Sequence, residues 1–331
     1  MLLCTMLAHR SSRFQTKFCD TQTQHQPTSF FNMAKSSKSS SRLGVAKTYK
    51  MYIGGAFPRT ESGRVYSPEV NGKSIGNVCL ASRKDLRNSI VAARAAQEGW
   101  AAKTAYNRSQ ILYRIAEMLE GRTDQFLSEL KDQGLTSRQA QQEITESIDR
   151  LIYYSGWCDK YQQVFSSVNP VASSHFNFSM LEPKGVVFVF ASEASPLLGL
   201  VSLVAPIIAA GNSVVVLASE SMPLSAITFS EVLNSSDVPG GVVNVLTGNA
   251  QELHEHAARH MDIDAIAFDR DDAKLWKNIQ AFACDNVKQV KKFDLDWLDP
   301  ESQNPYLISD FCEVKTTWHP IERISSGGSG Y

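Results

Sequence analysis

Six cysteines, a cluster of three histidines and one turn, strand and helix segment are the features of this 331-residue chain with types and spacings suited to chemistry. Cys4, Cys19, Cys79, Cys158, Cys284 and Cys312 form no CxxC pair and have no histidine at metal-ligand spacing. No structural metal is expected, and a reducing compartment is. Cys284 falls in the amphipathic stretch LWKNIQAFACDN and Cys312 in a strand-like one, settings that usually carry inert thiols. His254, His256 and His260 sit in LHEHAARH, with Glu252 four residues before His256. A helix would gather Glu252, His256 and His260 on one face, but the segment lacks a second source of ligands. Asp294 and Asp296 alternate with Phe293, Leu295 and Trp297, as in a half-exposed strand, rather than forming an acid pair. Lys288, Lys291 and Lys292 read as edge-strand lysines that discourage sheet-to-sheet aggregation. The segment GNSVVVLASESMPLSA, residues 211–226, has the order of a nucleotide site in a parallel sheet. It contains no lysine or arginine, and the turn after its strand is not glycine-rich.

The elements that must position these residues fall into two regimes. From about residue 82 to 160 the pattern is helical. Ser82 and Asp85 form a capping-box start, followed by Leu86, Ile90 and Ala93 on one face; Ile111, Ile115 and Met118 repeat the spacing. A third helix follows Thr123, and a long one from Ser137 aligns Ala140, Ile144, Ile148, Leu151 and Ile152. Each stripe needs a partner surface. That surface begins after residue 170, with HFNFSML as a half-exposed strand and then the apolar runs GVVFVF, SVVVL, GVVNVL and AIAF separated by helices. Strand and helix in alternation predict an α/β fold with a doubly wound parallel sheet. QVKKFDL and CEVKTTWHP are expected to form a last strand pair.

A formal charge of −1 offers no broad basic field, so nucleic acid is not an expected partner. The longest apolar run, Pro196 to Ala210, falls short of the ~20 residues a membrane span needs and reads as a buried helix. Residues 1–45 carry six Lys and Arg against Asp20 alone, with Ser and Thr throughout. They read as a disordered leader, as sequence upstream of a start at Met33, or as a mitochondrial transit segment. Cytoplasm is the expected location, with the mitochondrion as the alternative. Residues 323–331 read as a disordered tail.

With these segments in view, the chain resembles the NAD(P)-dependent aldehyde dehydrogenase superfamily. YIGGAFPRTESGRVYSP is similar to that family's opening strands, YYSGWCDK to the end of its long N-terminal helix, and EPKGVVFVF to the entry of its cofactor part. LVAPIIAAGNSVVV, PLSA and VPGGVVNVLTG continue the likeness, and EVKT, Glu313 to Thr316, resembles the C-terminal strand that joins a neighbouring subunit's sheet. The resemblance implies one domain over 46–322. Within it, 46–165 is an N-terminal helical part, 170–184 and 311–319 are oligomerisation strands that pair with each other and add to a partner subunit, and 185–293 is a Rossmann-like cofactor-type part. It implies Phe190, Glu220 and Phe268 as cofactor-side positions, with Glu220 at the place of the ribose-contacting glutamate. It also implies a homodimer or a partner chain of the same fold.

The departures bear on activity. The family's oxyanion-stabilising Asn falls at Ala194, which has no side-chain N–H; one such donor is typically worth about a hundred- to a thousandfold in rate. The cofactor-binding Lys falls at Leu217, and the FTGS turn at Phe268, Asp269, Arg270 and Asp271, where carboxylates are expected to repel pyrophosphate. KKFDLDWLDP holds no ELGG-like base motif, no GQxC-like loop follows, and the chain runs from Asp296 directly to SDFCEVKT. No catalytic residue is therefore assigned, and most of the family's catalytic domain is expected to be missing. That pattern is most similar to the incomplete second unit of aldehyde dehydrogenase family 16. The leading expectation is an inactive assembly or regulatory subunit with weakened NAD binding. The alternatives are an NAD-dependent aldehyde oxidoreductase whose catalytic groups come from another unit, and an NAD(H)-binding sensor.

Overall fold

The structure, a computed structural model, describes residues 47–321. The expected leader and tail, with Cys4 and Cys19, lie outside the described residues. The chain opens with five short strands: β1 (Thr48–Tyr49), β2 (Val65–Tyr66), β3 (Glu69–Val70), β4 (Lys73–Ser74) and β5 (Asn77–Cys79). Four helices follow: α1 (Arg83–Ala101), α2 (Ala105–Glu120), α3 (Thr123–Asp132) and α4 (Ser137–Trp157). The capping box expected at Ser82 and Asp85 is formed, and Thr136 with Gln139 forms a second one at the start of α4. After α5 (Tyr161–Phe165) come β6 (Ser167–Asn169) and the long β7 (His175–Pro183).

The central layer is β8 (Val186–Phe190), α6 (Leu198–Ala209), β9 (Ser213–Leu217), α7 (Leu224–Asn234), β10 (Val243–Leu246), α8 (Ala250–Arg259), β11 (Ala265–Phe268), α9 (Ala273–Ala283) and β12 (Gln289–Lys292). Its strands are all parallel, in the order β10-β9-β8-β11-β12. The strand order reverses at β8, with β11 on the far side, which opens a crevice beyond the carboxyl ends of β8 and β11. Side chains alternate across the sheet into two cores. Val187 and Val189 face the core shared with α2, α4, α6 and α7, whereas Val186, Phe188 and Phe190 face the one shared with α1, α8 and α9. Burial on both faces is why these strands are continuously apolar. Helix α6 is buried along its whole length, and among the described residues no helix is long and apolar enough to cross a membrane.

The last elements are α10 (Tyr306–Ser309) and β13 (Cys312–Pro320). Here the structure corrects three expectations. The stretches QVKKFDL and CEVKTTWHP do not pair with each other: β12 extends the parallel sheet beside β11, and β13 runs antiparallel to β7 in a separate β13-β7-β6 sheet. Residues 293–297 are not a strand; Phe293 and Trp297 are buried, and Leu295 between them is exposed. Ile152 lies outside the buried stripe of α4, 43% exposed, because the groove holding that helix is filled by Ile144, Leu151 and Tyr154.

Candidate functional site

The crevice at the carboxyl ends of β8, β9 and β11 is the candidate site. Its main cleft, of about 590 Å³, is lined by Glu69, Glu193, Glu220, Asp271 and Asp272, with Arg270 the sole cation of the lining. The loop after β8 carries Glu193, the loop after β9 carries Ser219 to Ser221, and the loop after β11 carries Arg270. Arg270 turns inward and ties the three loops together. Its Nε donates to Ala191 O at 3.0 Å, one Nη donates to Ala218 O at 2.9 Å, and the other lies 2.9 Å from Glu193 Oε1. Glu193 in turn accepts from Ser219 Oγ (2.6 Å), Glu220 N (2.9 Å) and Ser221 Oγ (2.8 Å). Burial alone would raise the Glu193 carboxyl; the Arg270 guanidinium and these donors outweigh it and hold the carboxyl below the ordinary carboxylate range. Burial lowers the Arg270 guanidinium, though not enough to discharge a group of that basicity.

The other anion seats nearby are also filled from within the chain. The N-terminus of α6, a natural seat for a phosphate, is occupied by Glu143 of α4, which accepts from Leu198 N at 2.8 Å, Leu197 N at 3.2 Å and Ser195 Oγ at 2.6 Å. Burial pushes the Glu143 carboxyl up, against the pull of those donors. At α9 the first amides are served by Asp272, which accepts from Leu275 N at 2.8 Å.

Glu220 lies half-buried on the cleft wall, its Oε1 accepting from Asn249 Nδ2 at 2.8 Å. Phe190 and Phe268 sit at the ends of β8 and β11, fully buried, with ring centroids 5.7 Å apart. The structure thus brings the two rings together in the core, whereas Glu220 lines the cleft. Leu217 closes β9 and is also fully buried. Ala194 lies in the β8 loop, its backbone N donating to Ser192 Oγ at 3.3 Å.

The thiols are elsewhere. Cys158 and Cys312 are buried, and burial pushes each thiol up to about 12, so both stay protonated. Cys79 is buried, and Cys284 is exposed in a short turn after α9. Among the described residues no group of His, Cys, Asp and Glu is placed to hold a metal ion. Asp294 and Asp296 are exposed and line no acid pair.

Between β12 and β13 the chain takes only residues 293–311, and this short connection is fastened down. Arg150 of α4, fully buried and in no ion pair among the described residues, donates to Trp297 O at 3.0 Å, Ser302 O at 3.4 Å and Ser202 Oγ at 2.9 Å. Tyr154 OH donates to Asn304 O at 3.0 Å. Trp297 packs against Gly199, where a Cβ would come within 3.1 Å of the indole, and its Nε1 donates to Asp269 Oδ2 at 2.7 Å. Sequence reasoning missed Arg150, Glu143 and the Arg270–Glu193 pair. A lone Arg and a lone Glu within the apolar spacing of α4 were the available signals.

The aldehyde dehydrogenase family profile matches residues 57–316, most of the chain. The chain belongs to the aldehyde dehydrogenase family. It is 29% identical over 285 residues to cytosolic 10-formyltetrahydrofolate dehydrogenase of Mus musculus, an alignment covering 84% of this chain and 31% of that protein. To an aldehyde dehydrogenase of Emericella nidulans it is 30% identical over 269 residues, 80% of this chain and 52% of the relative. Among solved structures it is similar to the NAD+ complex of aldehyde dehydrogenase from Bacillus cereus, with a TM-score of 0.70 and 26% identity, covering 74% of this chain and 50% of that one. The chain therefore spans between about a third and about half of these relatives' lengths. Relatives named as cytosolic and as mitochondrial both occur, the latter including 10-formyltetrahydrofolate dehydrogenase of Homo sapiens.

Proposed function

We propose that this chain is a non-catalytic aldehyde dehydrogenase-fold subunit that serves assembly or regulation, in the manner of an incomplete second unit. The observation that carries the reading is the Arg270–Glu193 pair at the mouth of the crevice. A dinucleotide needs open amides, a cation or a close glycine backbone for its pyrophosphate. Here Glu193 takes the Glu220 and Ser221 amides, Arg270 takes the glycine's place, and Leu217 takes the lysine's. The residues present do not fit the cofactor's pyrophosphate.

The chemistry of aldehyde oxidation lacks its parts as well. It requires a thiolate, a donor for the developing oxyanion and a base for water. Ala194 provides no side-chain donor, Cys158 and Cys312 are held as thiols in the interior, and residues 293–311 replace the stretch from which a nucleophile and base would come. The fastening of that connection by Arg150 and Tyr154 supports a unit that folds without a catalytic domain. The partner we propose is a second copy or a chain of the same fold, meeting it through β7 and β13. Unpaired buried thiols at Cys79, Cys158 and Cys312 favour a reducing location such as the cytoplasm.

One observation favours a sensor reading: Glu220 still faces the cleft and could hold a ribose. Titration with NAD+ and NADH under a thermal-shift readout separates the two. A subunit of the kind proposed shows no stabilisation, whereas a binder at a hundredfold its Kd gains about 2.7 kcal/mol. NADH production from an aldehyde, abolished by alkylating the thiols, would overturn the non-catalytic reading.

A further inference from the structure

Away from the crevice, α1 and α8 enclose a groove of about 390 Å³ lined by Arg83, Leu86, Arg87, Glu255, His256, Arg259 and His260. We infer that this groove is a binding site for a small phosphate-bearing solute, a phosphomonoester or pyrophosphate group. Three guanidiniums and two imidazoles line it beside one carboxylate, Glu255, while Asp285 and Asp262 stand behind Arg259 and His260.

The placement of the arginines is what calls for a ligand. Arg83 and Arg87 stand one turn apart in the first two turns of α1, where the helix dipole is positive and a cation is disfavoured. Among the described residues neither guanidinium makes a hydrogen bond or an ion pair, as holds also for the exposed Arg59 and Arg138; what sets Arg83 and Arg87 apart is that both line one groove together with Arg259. His256 and Arg259 have an ordinary reason to be where they are, since they lie in the last turn of α8 and suit its negative end. Arg83 and Arg87 have none, and their charge is directed onto the same groove.

The wall opposite is built to stay in place. Arg259 is held between Glu255 (3.6 Å) and Asp285 (3.5 Å) and lies over the Phe282 ring. Lys288 anchors the end of α8 by donating to His260 O and Ile263 O. Burial lowers His260, with Lys288 and Arg87 adding to the effect against Asp262. Leu86 forms an apolar floor. The donor set is one of forked guanidiniums and ring N–H groups, which match the several oxygens of a phosphate better than the two of a carboxylate. A concave groove between two helices suits a compact solute rather than a flat surface.

Isothermal titration of inorganic pyrophosphate into the full chain at low ionic strength tests this. One site is expected, weakened by added salt and weakened at least about tenfold in the Arg83→Ala/Arg87→Ala variant. Both positions are exposed, so the variant should keep its fold, which circular dichroism checks. Arg83→Lys/Arg87→Lys should fall between the two, since charge is kept and the fork lost. Glu220→Gln, which lowers the negative charge of the crevice without touching the Arg270–Glu193 pair, should leave the titration unchanged, which separates this site from the crevice and from the reading given for it. No heat with pyrophosphate at millimolar concentration, or affinity indifferent to the double alanine variant, would overturn the inference. So would pelleting with anionic phospholipid vesicles in the absence of any pyrophosphate binding in solution.

Discussion

Arg270 and Glu193 face each other at 2.9 Å between the loops that leave β11 and β8, with the arginine 8% exposed and three loop carbonyl or carboxylate partners on its guanidinium. The pair closes with protein charge a place where parallel sheets hold ligand charge. Removing one member strands the other in a poorly solvated site, at a cost of about 3–5 kcal/mol, whereas removing both leaves no orphan charge. Urea unfolding of Arg270→Ala, Glu193→Ala and the double variant should show strong non-additivity, the double being less destabilised than the sum of the singles. Additive losses would mean that the two side chains act independently.

The sheet was legible from sequence because β8 to β11 are buried on both faces and are apolar apart from Ser213 at the start of β9 and Asn244 in β10, so their apolar runs stand out. The ends of the chain were harder. The alternation around Phe293 gave the same signal as a half-exposed strand pair; β12 is instead an edge of the parallel sheet, as its lysines suggest, and β13 pairs with β7, far back in sequence, as only the family resemblance implied. Pairing choice of that kind is set by packing at long range, which local pattern does not encode. The site behaved likewise. Arg270 stood out as a departure from the family and Glu193 lies beside another, Ala194, but nothing local says that residues 77 positions apart neutralise each other.

Arg150 supplies a second test. Its guanidinium satisfies carbonyls of the 293–311 connection and forms no ion pair among the described residues, and burial lowers its affinity for a proton. In Arg150→Met the Trp297 and Ser302 carbonyls lose their donor, and stability should fall by about 2–4 kcal/mol. Hydrogen exchange should accelerate first in residues 294–305. Tyr154→Phe removes one bond from the same segment and should cost only about 1 kcal/mol. A uniform rise in exchange across the fold would show that the arginine does not act on this connection in particular.

The Trp297–Asp269 contact makes stability depend on pH. Burial pushes the Asp269 carboxyl from its ordinary 3.8 up to about 7, opposed by the Trp297 indole N–H and Arg270. In the window between those values the native chain binds the proton that the unfolded chain has released. This contribution is complete below the unfolded value and is lost as pH rises through about 7. Asp269→Asn keeps an acceptor for Trp297 but cannot ionise. Going from about pH 5 to about pH 8.5, the wild type should lose about 2–3 kcal/mol relative to this variant. Glu129 and Glu143, also raised by burial, are common to both proteins and drop out of the comparison. Parallel stability curves would place the Asp269 carboxyl in the ordinary range.

The strand β13 bears on assembly. It pairs with β7 along nine residues, and among the described residues its other edge has no partner. Val314 (68% exposed) and Trp318 (56%) project from one face, and Phe176 and Met180 from the other. An open edge flanked by large apolar side chains is a surface that isolated proteins blunt and assembling ones keep. Glu313, Lys315 (paired with Glu182) and His319 put charge or polarity on the strand and Pro320 ends it, but none of them covers the apolar Val314 and Trp318 side chains. Light scattering of the purified chain should therefore report a dimer. Val314→Asp/Trp318→Asp, which place carboxylates on exposed positions and cost the monomer little, should shift it to a monomer with an unchanged melting profile at high dilution. A wild-type chain that stays monomeric at high concentration would assign the exposed strand to a different partner and remove self-association from the proposed role.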